Sequence, residues 1–562
     1  MFRGYWIVAD MDGTLTPTPS RAHGEYLSLS HSRRTGLGFG ARYQSCLPWL
    51  LLFLERGGSL CVVSTAGKRM WSQLYPDLAP ALFHLSAAAA AATTTAPAAA
   101  RDEETPGPLY LCGFTGAALF RSRSWEAVWA DMDRLHPHWR APPAGDACAA
   151  AAAMVPPAGV ALEEWAEYRE QGGSTATDDA DAATPALTTM DAATCALAVQ
   201  EGRLALVRFF EHAAYVCGHD AARAHEFFAG CLSTKYHSVF AELLRGLLAE
   251  ARASASHDSV NAPDEHGATG PSHVCFAASR LLSPAALAQH GYFLTKTGDA
   301  LVDAQVVPRA DGTVADGAAV AQVVVMGIPM RYFDRVFPPA GASPAGDWHC
   351  CPRSAEAGAT ARQRLEDAGL ELKSQPNSVC LHRRGVDKAT CVRWLLARHR
   401  HRQSHPLTFE LSRALAFGDV PETVDAPLTT FPPMGFLSLS PKSGAAAGLV
   451  EMERVRGGAS GRPHMWHVGG EEEGTAVFLE ELLTQCTHED QQRGQPSGRA
   501  TPSRAVNWFS PDRVAACAER ARERVEAELR QRKKDASPPP RPRPESTTHS
   551  LPTTVELPHA AL

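Results

Sequence analysis

The chain has 562 residues, with 61 acidic and 54 basic side chains and a net charge of −7 at neutral pH. That length suits two or three folded units, and the mild acidic excess argues against a protein that coats nucleic acid or an anionic membrane. No basic segment followed by an apolar one precedes Asp10, and the longest apolar run, residues 47–54, is far too short to span a bilayer. The chain therefore reads as soluble and cytoplasmic. Its 14 cysteines are scattered without C-x-x-C spacing, so reduced, mostly buried thiols are expected rather than bridges.

The chain opens on "YWIVADMDGTLT", residues 5–16, where an apolar run predicts a buried strand and two aspartates, Asp10 and Asp12, follow it directly. The glycine-rich run 35–42 lacks a full G-x-G-x-x-G and reads as a flap. A helix is predicted over 43–56 and a strand over 59–64, ending at Thr65. Residues 86–108 and 146–159 are alanine-rich and broken by prolines and threonines, so they read as surface insertions. Between them, "LYLCGFTGAALF" predicts a strand over 109–112. Polar stretches at 171–184, 251–272 and 338–360 read as loops. Helical spacing marks 124–139, 203–217 and 239–252, while "AQVVVMGIPM" (321–330) and "ELKSQPNSVCLHRRGV" (371–386) alternate like strands.

Lys388 opens a predicted helix over 388–399, and "HRHRQSH" (399–405) reads as its solvated basic end rather than a metal site. Strands are predicted at 414–417, which leads into Gly418 and Asp419, and at 436–439. From about residue 488 the chain is rich in Pro, Arg and Ser and reads as a disordered tail. One exposed helix is predicted there, with Ser510 as N-cap and Pro511 at its first position. "PPPRPRP" (538–544) is a candidate docking segment for a protein partner.

Short apolar strands alternating with helices predict an open α/β parallel sheet, in which ligands bind beyond the carboxyl ends of the strands. Three acids, a hydroxyl and a lysine fall at those ends: Asp10, Asp12, Asp419, Thr65 and Lys388. Phosphoryl transfer needs such a set: a nucleophile in line with phosphorus, cationic groups for the equatorial oxygens, and an acid for the leaving group.

The set resembles the haloacid dehalogenase superfamily of aspartate-nucleophile phosphatases. "DMDGTLT" is similar to that family's first motif, "LCVVSTAGKR" to its second, "VDKATCVRWLL" to its third and "LAFGDVPETVD" to its fourth. The resemblance implies a Rossmann-like three-layer core with Asp10 as nucleophile and Asp12 as general acid and base. Thr65, Lys388 and Gly116 would bind substrate. A magnesium ion would take Asp10, the main-chain carbonyl of Asp12, and Asp419. The fourth motif departs from GDxxND, which leaves Glu422, Asp425 or neither to hold a metal-bound water.

The roughly 250 residues between "LYLCGFTGAALF" and "ELKSQPNSVCLHRRGV" imply an inserted mixed α/β cap, which resembles the large-cap branch with sucrose-phosphate and trehalose-phosphate phosphatases. The implied division is core 1–120, cap 121–375, core 376–487 and tail 488–562. The expected activity is magnesium-dependent hydrolysis of a small phosphorylated metabolite, above all a sugar phosphate, with the cap choosing the substrate. A phosphomutase or a non-catalytic binding protein on the same fold are the alternatives.

Overall fold

Odd and even residues of the first strand enter different cores, and that alternation builds the layers. The computed structural model describes residues 1–16, 46–65, 109–123, 161–164, 188–217, 221–232, 240–246, 248–249, 301–339, 352–375, 378–400, 409–455, 464–494 and 506–535. It also describes single positions between 67 and 78 and at 128 and 131. In β1 (Trp6–Asp10), Ile7 and Ala9 join one apolar cluster, while Trp6 and Val8 join another on the opposite face. A strand buried on both faces needs helices above and below, and both sets are present. Under the first face lie α1 (Leu47–Glu55), through Leu50 and Phe53, and α7 (Glu471–Gly494), through Phe478 and Leu482. Over the second lies α5 (Thr390–Arg400), through Val392 and Leu395.

The main sheet has eight strands in the order β12-β11-β10-β1-β2-β3-β4-β5. The six from β12 to β3 are parallel: β2 (Ser59–Val63), β3 (Leu109–Gly113), β10 (Ala414–Gly418), β11 (Gly435–Ser438) and β12 (Met465–His467) flank β1. Two antiparallel strands, β4 (Ala118–Ser122) and β5 (Leu162–Glu164), extend one edge. This is the predicted Rossmann-like α/β arrangement, with β1 central. All five strands predicted by their apolar runs form parallel strands.

A second, antiparallel sheet is built from chain between β5 and α5, in the order β6-β7-β9-β8. Its strands are β6 (Val302–Val306), β7 (Val320–Met326), β8 (Leu370–Gln375) and β9 (Ser378–Arg383). Val323 and Val325 of β7 pack with Leu206, Phe209 and Phe210 of α2 (Ala192–Val216) and with Leu365 of α4 (Pro352–Asp367). Helix α3 (Ala221–Cys231) adds Phe228 to the same cluster. Strands β4 and β5 thus carry the main sheet past residue 121, and β9 carries the second sheet past 375.

Two expectations are corrected. Residues 352–360, read as loop, begin α4, whose helix-forming run of Ala, Glu, Arg and Gln outweighs its Ser and Gly. The tail helix α8 (Pro511–Asp535) is not an isolated exposed helix. Val514, Cys517, Ala518, Ala521 and Val525 form one buried stripe that joins the core containing α7, and Arg513 and Arg524 reach Glu489 and Glu480 of α7 at 2.5 and 2.9 Å. The segment before α8 is anchored to β1: Tyr5 donates its hydroxyl to the Val506 carbonyl at 2.9 Å and accepts from the Trp508 amide at 3.0 Å. The glycine-rich run, the alanine-rich insertions, most of 124–139 and 399–405, and "PPPRPRP" lie outside the described residues. Among the described residues, no helix is long and apolar enough to cross a membrane.

Candidate active site

Parallel register brings the ends of the central strands level. Asp10 pairs with Val63, Ala9 with Phe417, and Gly418 with Ser438. The residues that follow β1, β2, β3 and β10 therefore emerge on one edge: Asp12, Thr65, Gly116 and Asp419. After β1 the chain turns tightly, with the amides of Leu15 and Thr16 both donating to the Met11 carbonyl at 2.9 Å, and Asp12 lies in that turn.

Lys388 comes from α5's side of the sheet. Asp387 turns the chain just before α5, its side chain accepting from the Ala389 amide at 2.9 Å, and the next residue points its amine into the site. Lys388 is 1 % exposed, and its Nζ lies 2.7 Å from Asp10 Oδ1 and 2.6 Å from Asp425 Oδ1. Asp425, fully buried, also accepts the Val420 amide on Oδ2 at 2.9 Å. That approach requires a glycine at 418, because a Cβ there would run into the Asp425 carboxylate. Glu422 instead pairs with exposed Lys442 at 3.5 Å. Of the two acids left open by the fourth motif, the structure brings Asp425 to the site and leaves Glu422 at the surface.

Asp10, Asp419 and Asp425 each offer a carboxylate oxygen, and these atoms all lie within 4.8 Å of one another. Burial pushes the Asp10 carboxyl up to about 7, against the pull of Lys388, and burial with the charges of Asp10 and Asp425 pushes Asp419 up to about 9. Lys388 is itself pushed up: its two carboxylate partners outweigh the cost of burial. Three carboxylates share one ammonium, so the ionised cluster carries an excess of negative charge. Clustered hard oxygen donors with uncompensated charge could hold a hard divalent cation. Lys388 sits against one oxygen each of Asp10 and Asp425, and the Val420 amide against the other oxygen of Asp425, and all three carboxylates could hold the cation.

This arrangement fixes a pH dependence. Asp10 and Asp419 titrate near 7 and 9 when folded, whereas unfolded aspartates titrate near 4. Across that window the folded chain binds more protons than the unfolded one, so stability falls as pH rises. In EDTA, the thermal midpoint is expected to fall between about pH 5 and pH 9. Magnesium is expected to raise it, and by more at the alkaline end. A midpoint in EDTA that does not change with pH contradicts a buried carboxylate cluster.

Gly116 and Thr65 are each held by contacts within the chain. Gly116 has φ +111°, and a Cβ on it would strike the carbonyl oxygen of Asp387, next to Lys388. Gly116→Ala is therefore expected to cost about 3 kcal/mol in urea unfolding and to displace Lys388, with loss of whatever activity that amine supports. A wild-type midpoint in the variant would show that the 387–388 segment yields freely.

Thr65 is gripped through its main chain by Gln322 of β7, on the face of that strand opposite Val323. The Gln322 amide donates to the Thr65 carbonyl at 2.9 Å and to Gln305 Oε1 at 2.8 Å, and its oxygen accepts from the Thr115 hydroxyl at 3.2 Å. The carbonyl of Thr65 can only accept, so the amide orientation is fixed. Phe114 and Thr115 hold φ of 54° and 62°, a left-handed turn uncommon outside glycine. Gln322→Leu, which leaves the Thr65 carbonyl and Thr115 hydroxyl without this partner, is expected to destabilise the fold by about 1–3 kcal/mol by urea titration. An unchanged midpoint would mean that water replaces the amide at no cost.

No family model matches the chain, and no curated protein sequence does. Asp425 and Gln322 were the residues that sequence reasoning left open or missed. A glutamine inside an apolar alternating run was the available signal for the second.

Proposed function

We propose that the protein is a magnesium-dependent phosphatase of the haloacid dehalogenase type, hydrolysing a small phosphomonoester through an aspartyl-phosphate on Asp10. The observation that carries this reading is the buried Lys388 ammonium held between Asp10 and Asp425, beside Asp419, at the carboxyl ends of the central strands. A structural ion pair needs one acid for one base, and a surplus of buried carboxylates is costly unless function uses it.

In this mechanism an Asp10 oxygen attacks phosphorus while the bond from phosphorus to the leaving oxygen breaks, and Asp12 gives that oxygen its proton. Asp12 then takes a proton from water, whose oxygen bonds to phosphorus as the Asp10–phosphorus bond breaks, releasing phosphate. Lys388 holds Asp10 in position and offsets negative charge as the dianion approaches. Magnesium, when held by Asp10, Asp419 and the Asp12 carbonyl, would supply charge neutralisation and keep Asp10 ionised. The second sheet, tied to Thr65 through Gln322, would act as the cap that selects the leaving group, with a sugar phosphate as the class that the motif resemblance suggests.

The test is phosphate release from p-nitrophenyl phosphate and a panel of sugar phosphates, with magnesium and with EDTA. Magnesium-dependent release, faster for one sugar phosphate than for the aryl ester, supports the reading. No release from any phosphomonoester in magnesium removes it.

A further inference from the structure

The second sheet's helical layer contains a cleft of about 460 Å³ to which the aspartate site contributes no residue. Its walls come from the end of α2, from α3, and from residues 331–335 beyond the carboxyl end of β7, on the helix-covered face of that strand. Gln322, which meets Thr65, lies near the strand's other end and on its other face. A ligand in the cleft therefore does not touch Asp10.

Charge in the cleft is one-sided. Arg223, Arg331 and Arg335 line it, with Glu226 as the acid among its lining residues. Arg331 and Arg335 both stand over the ring of Tyr332, at 5.3 and 5.5 Å from its centroid, so two guanidiniums converge on one buried ring. The Arg331 guanidinium also donates to the Gly230 carbonyl in α3 at 3.0 Å, which fixes it across the cleft. Tyr332 is held from beneath by Phe209 and His212, with ring centroids 5.2 and 5.4 Å away. Burial and the nearby Arg335 charge push that histidine down to about 4, so it adds no charge of its own at neutral pH.

Guanidinium forks suit phosphate, and the volume lies within the usual range for small-molecule sites, more than a lone phosphate fills. The remaining lining is apolar and aromatic. Phe227, half-buried, presents a ring, and Val216 and Met330 are 45 % and 38 % exposed at or beside the rim. We propose that this cleft is a second, non-catalytic ligand site that takes a phosphorylated small molecule with a planar aromatic part, of the nucleoside monophosphate class.

The test is calorimetric titration of the full chain with adenosine monophosphate, inorganic phosphate and adenosine, in EDTA, where the aspartate cluster repels anions. Saturable binding of the nucleotide is expected, at least about tenfold tighter than that of either half alone, and weakened about tenfold or more by Arg331→Ala combined with Arg335→Ala. Should that variant fail to fold, the wild type decides the matter through Cys231, a half-buried thiol in the cleft wall. Adenosine monophosphate should slow its alkylation without slowing that of Cys195, a half-buried thiol outside the cleft. Absence of saturable binding, equal affinity for adenosine, or binding indifferent to both arginines with Cys231 unprotected overturns the proposal. None of these readouts depends on phosphatase activity, so the cleft and the aspartate site fail or stand separately.

Discussion

Asp10→Asn is expected to reduce phosphate release by about 10⁵-fold or more, because an amide oxygen cannot carry the covalent phosphoryl intermediate. Asp12→Ala should lower it by about 10²–10⁴, the usual loss when a general acid and base is removed. The two substitutions should part on stability. Asp10 is buried and charged against Lys388, and removing its charge also removes some of the repulsion that pushes Asp419 up. Asp10→Asn should therefore leave the fold intact, with a flatter dependence of stability on pH. Phosphate release, intact-mass detection of the phosphorylated chain and thermal unfolding across pH check these in turn. Turnover by Asp10→Asn near the wild-type rate would sink the proposed mechanism, and a chain that unfolds on this change would make Asp10 a structural residue.

Lys388→Met should be the most damaging single change in the site. The ammonium is almost wholly buried and touches two carboxylates. Removing one partner of a buried charge set leaves the others uncompensated, at about 3–5 kcal/mol. Urea unfolding in EDTA at neutral pH is expected to show a loss of that size, together with loss of activity. Acid should shrink the deficit, since protonated aspartates no longer need the ammonium. Adding Asp425→Asn to Lys388→Met should recover part of the stability and none of the turnover. A double-mutant cycle gives the coupling, and simple additivity of the two changes would show that the 2.6 Å contact carries no net interaction. Wild-type stability in Lys388→Met alone would refute the charge argument.

How much of this could be read from sequence varied with the physical signal. Strands β1, β2, β3, β10 and β11 were legible because strands buried on both faces leave continuous apolar runs, and Asp10, Asp12, Thr65 and Asp419 were legible because they close or closely follow those runs, whereas Lys388 stands before a helix. Helix α8 was misread as exposed because its arginines and glutamates mask a narrow buried stripe of Val514, Cys517, Ala518, Ala521 and Val525. Asp425 could not be chosen over Glu422 from spacing alone. The loop after β10 folds back, with the Asp425 amide donating to the Val420 carbonyl at 3.1 Å, so the acid farther along the chain returns to Lys388. Gln322 was hidden for another reason: its partners, Thr65 and Thr115, are more than 200 residues away in sequence. The arginine cleft likewise joins segments about 100 residues apart.

The joint between the two sheets limits how this molecule can be rearranged. Strand β9 ends at Arg383, and residues 384–387 alone separate it from Lys388. The inserted sheet is thus no detachable cassette. A recombination that imported a foreign insertion through its last strand would also import the spacing that sets the Lys388 amine, and an excision ending at residue 375 would strip β9 of both neighbours, β7 and β8. Lineages or engineers seeking a new specificity are left with exchange within loops and helices of the insertion, while the four-residue hinge and the Gln322 contact stay unaltered.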